Sequence, residues 1–442
     1  MSQTPPAKAA PSTKTARFAT RYWTLAILAL VAFLAMVDRQ AFAVLLVPMQ
    51  RDLGVSDGEM GFLSGSAFAL AQAIFTLPLA WLADRTSRRD LLVVAVIIWS
   101  LATAVGGLAG GFATLLLARL VVGAAEAAQT PATVSLVADL FERNLRGAAF
   151  TACSVGAALG VSFGAYVGGA LSERQGWQGA LLMVGLPGLL VAAILRMTVT
   201  EPPRPARVER SELGDLRAVA AQLKQSLAIP TLPPFLAGYV ALQAAAMGWY
   251  IWFPAFLMRV HGLSAAQMGA VFGTVVLCGM LAAMWGGPVS DLLARRGARW
   301  RLYFIVAIIG LSIPFLCLSF LAPSVILAQI CAMGFTLFLG AHHPVSMATY
   351  ASLSPPASRA FVSGLVFVSG ALLGGGAAPL LFGVVNDLLA PSLGALGLRY
   401  TLLLAPALLV VAAVFYAIAS RTADGDTLAA ERPTWAVPNT LP

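Results

Sequence analysis

The chain has 442 residues, of which 59% are apolar and only 11% charged, against roughly 25% charged in an ordinary soluble domain. That composition excludes a water-soluble globular protein. The formal charge of +9 invites a nucleic-acid reading, but the basic residues form no patch with aromatic partners, so no nucleic-acid partner is expected. Cys153, Cys278, Cys317 and Cys331 all fall inside apolar runs and read as small core residues, not a disulfide framework.

In chain order, residues 1–20 are rich in Pro, Lys and Ser and predict a disordered cytoplasmic tail. Apolar runs long enough to cross a hydrocarbon core of about 30 Å then recur to the far end. Twelve spans are predicted: 22–46, 61–83, 91–108, 113–138, 148–171, 179–197, 234–258, 265–290, 302–321, 324–350, 361–385 and 399–420. The first is too long for a signal-peptide core. It contains the tract LAMVDRQAFA, in which Asp38 and Arg39 are neighbours.

The fourth span carries Arg119, Gly123 and Glu126, and the fifth carries Gly156, Gly160, Gly164 and Gly168 at fourfold spacing, a pattern for close helix packing. The polar stretch 201–233 reads as a cytoplasmic linker between an amino-terminal bundle (21–200) and a carboxyl-terminal one (234–420), with 421–442 as a second cytoplasmic tail. Within the linker, Ser211 to Gln225 predicts one amphipathic surface helix with Leu213, Leu216, Val219 and Leu223 on a face. The seventh span brings Trp249, Tyr250, Trp252 and Phe253 before Pro254, and the tenth brings His342 and His343 before Pro344.

Placing both tails and every even-to-odd loop on one side gathers 22 of the 28 basic residues there, and the positive-inside rule makes that side cytoplasmic. The 25 arginines against 3 lysines suggest a GC-rich bacterial genome and therefore an inner (plasma) membrane. The two halves also correspond. Ala80 to Arg89 (AWLADRTSRR) follows the second span and Gly287 to Arg296 (GPVSDLLARR) follows the eighth; Arg146 and Arg359 precede Gly-rich fifth and eleventh spans. Parallel six-helix repeats mark an architecture whose substrate site lies between the halves near mid-membrane.

The tract Ala80 to Arg89 resembles the G-x-x-x-D-R-x-G-R-R loop of the major facilitator superfamily at Asp84, Arg85, Arg88 and Arg89, with Ala80 and Ser87 at the two glycine positions. The second copy keeps Gly287, Asp291, Arg295 and Arg296, and Arg119 with Gly123 resembles that superfamily's R-x-x-x-G motif. VDRQAF, the segment from Glu126 into PATVSLVADLFERNLRG, and GWYIWFPAFL are most similar to the Spinster group; the Asp-Arg pair also occurs in the organic anion symporter branch. The resemblance implies an all-α membrane protein with twelve transmembrane helices in two six-helix bundles. It also implies secondary transport, with lysolipid-like or sphingoid amphiphiles as candidate substrates. By the same resemblance Asp84, Arg85, Arg88 and Arg89, with Asp139, Arg143 and Arg146, form a cytoplasmic latch between helices 2, 4 and 11. Gly164-Ala165-x-x-Gly168-Gly169 resembles an antiporter motif with alanine in place of its proline.

Of 19 acidic residues only Asp38 and Glu126 lie inside a predicted span, where each costs several kcal/mol unless partnered, by the roughly +2.5 to +3.5 insertion scale. Adjacent helical side chains diverge by about 100°, so Asp38 and Arg39 do not neutralise each other. Arg39 is expected to pair with Glu126, and Asp38 to pair with Arg119 or hold a proton. A cation that moves between such carboxylates loads or releases protons, which makes Asp38 and Glu126 the candidate proton carriers and Arg39 and Arg119 the candidate charge relay and anion attractors. A static ion network joining helices 1 and 4 is the competing reading. Trp249, Tyr250, Trp252, Phe253, His342 and His343 are candidate cavity-lining residues.

The expected function is proton-coupled transport of an amphiphilic or anionic small molecule by alternating access, by a monomer in the lipid bilayer. The energy source is the proton gradient, with no cofactor or metal and no catalytic residue, so the chain is not expected to be an enzyme. An uncoupled lipid facilitator or scramblase, and an organic anion/proton symporter, are the alternatives. G-V-S-F-G around Ser162 matches a hydrolase pattern, but lacks the strand-turn-helix context and adjacent histidine base that the chemistry needs.

Overall fold

The computed structural model describes residues 13–142, 145–202, 216–355 and 358–431, and among them every regular element is helical. Ten continuous runs are long and apolar enough to cross a bilayer, and two of these, Arg146–Thr198 with 53 residues and Phe361–Ala419 with 59, cross it twice. The result is twelve crossings. We number them α1 (Thr13–Val44), α2 (Asp57–Arg85), α3 (Arg88–Gly106), α4 (Phe112–Leu140), α5 (146–175), α6 (177–198), α7 (Leu232–Val260), α8 (Ala265–Ala294), α9 (Arg299–Leu321), α10 (Val325–Ser352), α11 (359–393) and α12 (Leu404–Ala419).

The two tails' outer residues and most of the linker, with Ser211 and Leu213, lie outside the described residues; the linker helix is Leu216–Leu227. The chain turns from α5 into α6 at Gly176, whose φ of 71° belongs to the left-handed region that glycine enters without a Cβ penalty. The non-helical backbone at Gly176 divides the 53-residue run into two spans, as the apolar pattern predicts.

Proline breaks α4 and α10 alike. The helix ends at Glu126 and restarts at Gln129 ahead of Pro131, and ends at Leu339 and restarts at His342 ahead of Pro344. Two other helices, α2 and α11, each carry a π-helical turn, Phe62–Ala67 and Gly370–Gly376, and cross one another there. The Ser66 hydroxyl donates to the Gly376 carbonyl at 2.8 Å. At Gly61 a Cβ would stand 2.2 Å from the Pro379 carbonyl oxygen, so only glycine allows the approach. This crossing joins the bundles at the end of the molecule opposite the termini.

The glycine stripe of α5 packs on α1: Gly156 over Ala29, Gly160 over Phe33, Gly164 over Val37 and Gly168 over Ala41. Contact at that spacing brings backbone to backbone and fixes the rotation of α1. Gly169 one step further faces Ala265 of α8 and ties α5 across to the other bundle. Ser162 sits in this uninterrupted helix, and the groove it lines against Gly269 and Gly273 of α8 contains no histidine, so the hydrolase pattern has neither its turn nor its base.

Candidate functional site

With Val37 and Ala41 against α5, steps of about 100° per residue carry Asp38 and Arg39 round α1 to two other directions. Asp38 points between α3 and α4. The Thr103 hydroxyl of α3 donates to Asp38 Oδ2 at 2.6 Å, and Oδ1 is buried with no protein partner. Arg39 reaches Glu126, donating from Nε at 2.7 Å and Nη2 at 2.5 Å to the same carboxylate oxygen, Oε2. Glu126 is fully enclosed while the Arg39 side chain is 32% exposed. The ion pair therefore has one face in protein and one toward open space between the bundles.

Arg119 is buried at 4% exposure. Its guanidinium lies 4.0 Å from the Phe42 ring and 5.3 Å from the Phe68 ring, and Arg39 lies 4.4 Å from Phe68. Two arginines thus share the Phe68 ring, an arrangement favoured by the ring quadrupole at about 0.5–2 kcal/mol each. Asp38 and Arg119 line one small cavity with Thr103, not a direct ion pair. Thr103, Phe42 and Phe68 were not legible as site residues in the sequence. Phe42 lies one turn after Asp38 and offered a weak signal; the other two offered none.

A second polar cluster, also unread in the sequence, closes the end opposite the termini. Asp57 at the start of α2 is 3% exposed. It accepts from Arg259 of α7 at 2.8 and 2.7 Å, from the Gln50 amide at 2.6 Å and from the Asn386 amide of α11. Asp387 of α11 in turn accepts the backbone N–H groups of Asp57 and Gly58 at 2.9 and 2.7 Å, where the α2 dipole favours a carboxylate. The partners come from both bundles, so this lock must break for that end to open.

At the other end the proposed latch residues are placed as follows. Arg88 is held by Asp139 of α4 and by Glu201 at 2.8 Å, Arg89 pairs with Asp90 at 2.8 Å, and Arg85 lies 3.8 Å from the Trp81 ring. Arg146 donates to the Ala138 and Phe141 carbonyls at 2.7 and 3.1 Å and so caps α4. Asp84 is exposed in the last turn of α2, and Arg143 lies outside the described residues. Burial alone would push the Glu201 carboxyl up. The N–H groups of Arg89 and Arg88 and the Arg88 guanidinium outweigh it and hold Glu201 below the usual carboxylate range.

The aromatic set of α7 is core. Trp252 and Phe253 are fully buried, Trp249 is 3% exposed and Tyr250 is half-buried; Trp249 stacks on Phe253 at 5.0 Å between centroids and meets Phe335 at 4.9 Å. Tyr250 alone of the four is partly exposed. His342 is buried, its Nδ1 2.7 Å from the Leu339 carbonyl and its Nε2 3.3 Å from the Gln243 amide oxygen, while His343 is exposed. Among the described residues no group of His, Cys, Asp and Glu has metal-binding geometry.

The Major Facilitator Superfamily profile matches residues 28–379. An MFS-type efflux pump of Mycolicibacterium smegmatis is 29% identical, over 90% of this chain and 93% of its own. A D-galactonate transporter of Escherichia coli is 26% identical, over 63% of this chain and 68% of its own. The structure is similar, at a TM-score of 0.82 and 26% identity over 92% of this chain and 98% of the other, to a bacterial homologue of the human lysosomal transporter Spinster in an inward-facing, unoccupied conformation.

Proposed function

Because the chain belongs to the Major Facilitator Superfamily and is a multi-pass membrane transporter, we propose that it is proton-coupled and moves an anionic amphiphile across the bacterial inner membrane, both termini cytoplasmic. The observation that carries this reading is the Arg39–Glu126 pair, with its carboxylate enclosed and its guanidinium 32% exposed. An anionic head group arriving from the open side competes with Glu126 for Arg39. Once displaced, Glu126 is a buried carboxylate without a cation, and the cheapest remedy is a proton. Substrate binding and proton uptake are then one event.

An apolar groove of about 410 Å³ between α5 and α8, lined by Leu159, Phe163, Tyr166 and Leu277, supports an apolar tail. A sugar acid is the second reading, favoured by the D-galactonate transporter among the relatives and by the burial of the α7 aromatics. Thermal-shift screening of purified protein separates them: lysophospholipids and sphingoid bases against galactonate and glucarate. In liposomes, Asp38→Asn and Glu126→Gln are expected to fold and lose proton movement linked to the stabilising compound. Wild-type proton flux in both variants sinks the coupling, leaving an uncoupled facilitator.

A further inference from the structure

Asp38 and Arg119 are each 4% exposed, and each has a buried atom, Oδ1 and Nε, with no protein partner. Both atoms belong to residues lining one small cavity, together with Phe42, Thr103, Gly106, Leu115 and Leu181. A buried charged group left without a partner costs several kcal/mol, so these two atoms demand a shared ligand. The cavity volume of about 10 Å³ matches the space that the centre of one water occupies, and a water at that point has a strong acceptor, a strong donor and the Thr103 hydroxyl within its walls.

The location is as informative as the size. Gly106 is the last residue of α3, Leu115 lies three residues past the first of α4, and Leu181 lies five residues past Gly176. The cavity therefore lies inside the amino-terminal bundle, toward the end opposite the termini, between α1, α3, α4 and α6. Arg39 leaves α1 in another direction, toward the open space between bundles. We infer that this cavity binds one ordered water which carries protons to Asp38 from the end opposite the termini, on a route separate from the substrate's. Arg119 is the one other charged residue among the cavity walls; beyond the walls, the charged groups nearest Asp38 are Arg39, the next residue of α1, and Glu126, about two turns past Arg119 on α4. Arg119 orients the water with its Nε–H, so that the water's own hydrogen points at Asp38 Oδ1.

The inference rests on the proton-coupled reading, and its test separates the two. A Cβ added at Gly106 would meet Ala118 Cβ at 3.5 Å and Leu115 and Leu181 at 3.9 Å, ordinary contacts, so Gly106→Ala fills the cavity without a clash. At Gly110 an added Cβ meets nothing within 4 Å, which makes Gly110→Ala the control. The probe is D₂O alone, followed by infrared difference spectroscopy of the reconstituted protein, with the Asp38 carboxyl band assigned by its disappearance in Asp38→Asn. Expected is a band whose exchange slows at least tenfold in Gly106→Ala and is unchanged in Gly110→Ala. Wild-type exchange in Gly106→Ala overturns the water route while leaving coupling intact. A carboxyl band that never forms on acidification shows that Asp38 takes up no proton and overturns the water route, while the coupling reading is decided separately by proton flux in Glu126→Gln. If Gly106→Ala fails to fold, Ala118→Val fills the same cavity from α4 and is read by the same criterion.

Discussion

The two bundles use one broken-helix design for different purposes. The offset of 213 residues that relates Arg146 to Arg359 also relates Pro131 to Pro344, and each proline follows a break in its helix. At the break the amino-terminal bundle has Glu126 and the carboxyl-terminal bundle has Leu339; about two turns earlier Arg119 corresponds to Ala332. The interior of the first half is a charge cluster braced by Phe42 and Phe68. That of the second is an aromatic stack around Trp249 and Phe253. A duplicated backbone thus supplies two matching bodies, and the mid-span Asp, Glu and Arg residues lie in the first of them. Such an arrangement suits rocking about a central site.

Four measurements break or sharpen this contrast. Phe253→Ala removes a fully buried ring and is expected to cost about 3–5 kcal/mol, seen as a large fall in thermal unfolding temperature with the pH dependence of ligand binding unchanged. A change in that pH dependence would show the second body to take part in the chemistry. Arg39→Met strands the Glu126 carboxylate and is expected to cost about 3 kcal/mol, the low end for a broken buried pair because Arg39 is partly exposed. The double variant Arg39→Met/Glu126→Leu gives the first bundle the leucine of the second and should recover most of that loss. Equal instability of single and double variants would mean that the pair is not what the fold has to satisfy.

Next in size, Arg259→Met leaves Asp57 with amide donors alone. It should shift the population toward a state open at the end opposite the termini, by about 1–2 kcal/mol or 5- to 30-fold. Spin labels at Arg51 and Leu396, one on each bundle, would report the separation. Unchanged distances would relegate the lock to ornament on a crossing held by α2 and α11. The smallest effect is at Glu201. Its folded pKa lies below the usual value, so its contribution is present above the unfolded pKa and lost as pH falls through the folded one. Acid below the usual carboxylate range should loosen residues around Arg88 to proteolysis, and Glu201→Gln should remove that acid dependence.

Sequence alone determined the twelve crossings, the duplication, and the isolation of Asp38, Arg39, Arg119 and Glu126, because hydrocarbon imposes a length of about 20 apolar residues and makes every exception conspicuous. It also determined that neighbours on one helix turn would look to different partners. Only tertiary structure decided which partners. Thr103 rather than Arg119 bonds Asp38, Phe68 stands between two arginines, and Asp57 joins α7 and α11. The aromatics of α7 became core because α8 and α10 close over them. Those choices depend on contacts between residues tens to hundreds of positions apart, set by the α5 glycine stripe that rotates α1 and by the close crossing at Gly61, and local spacing carries no record of either.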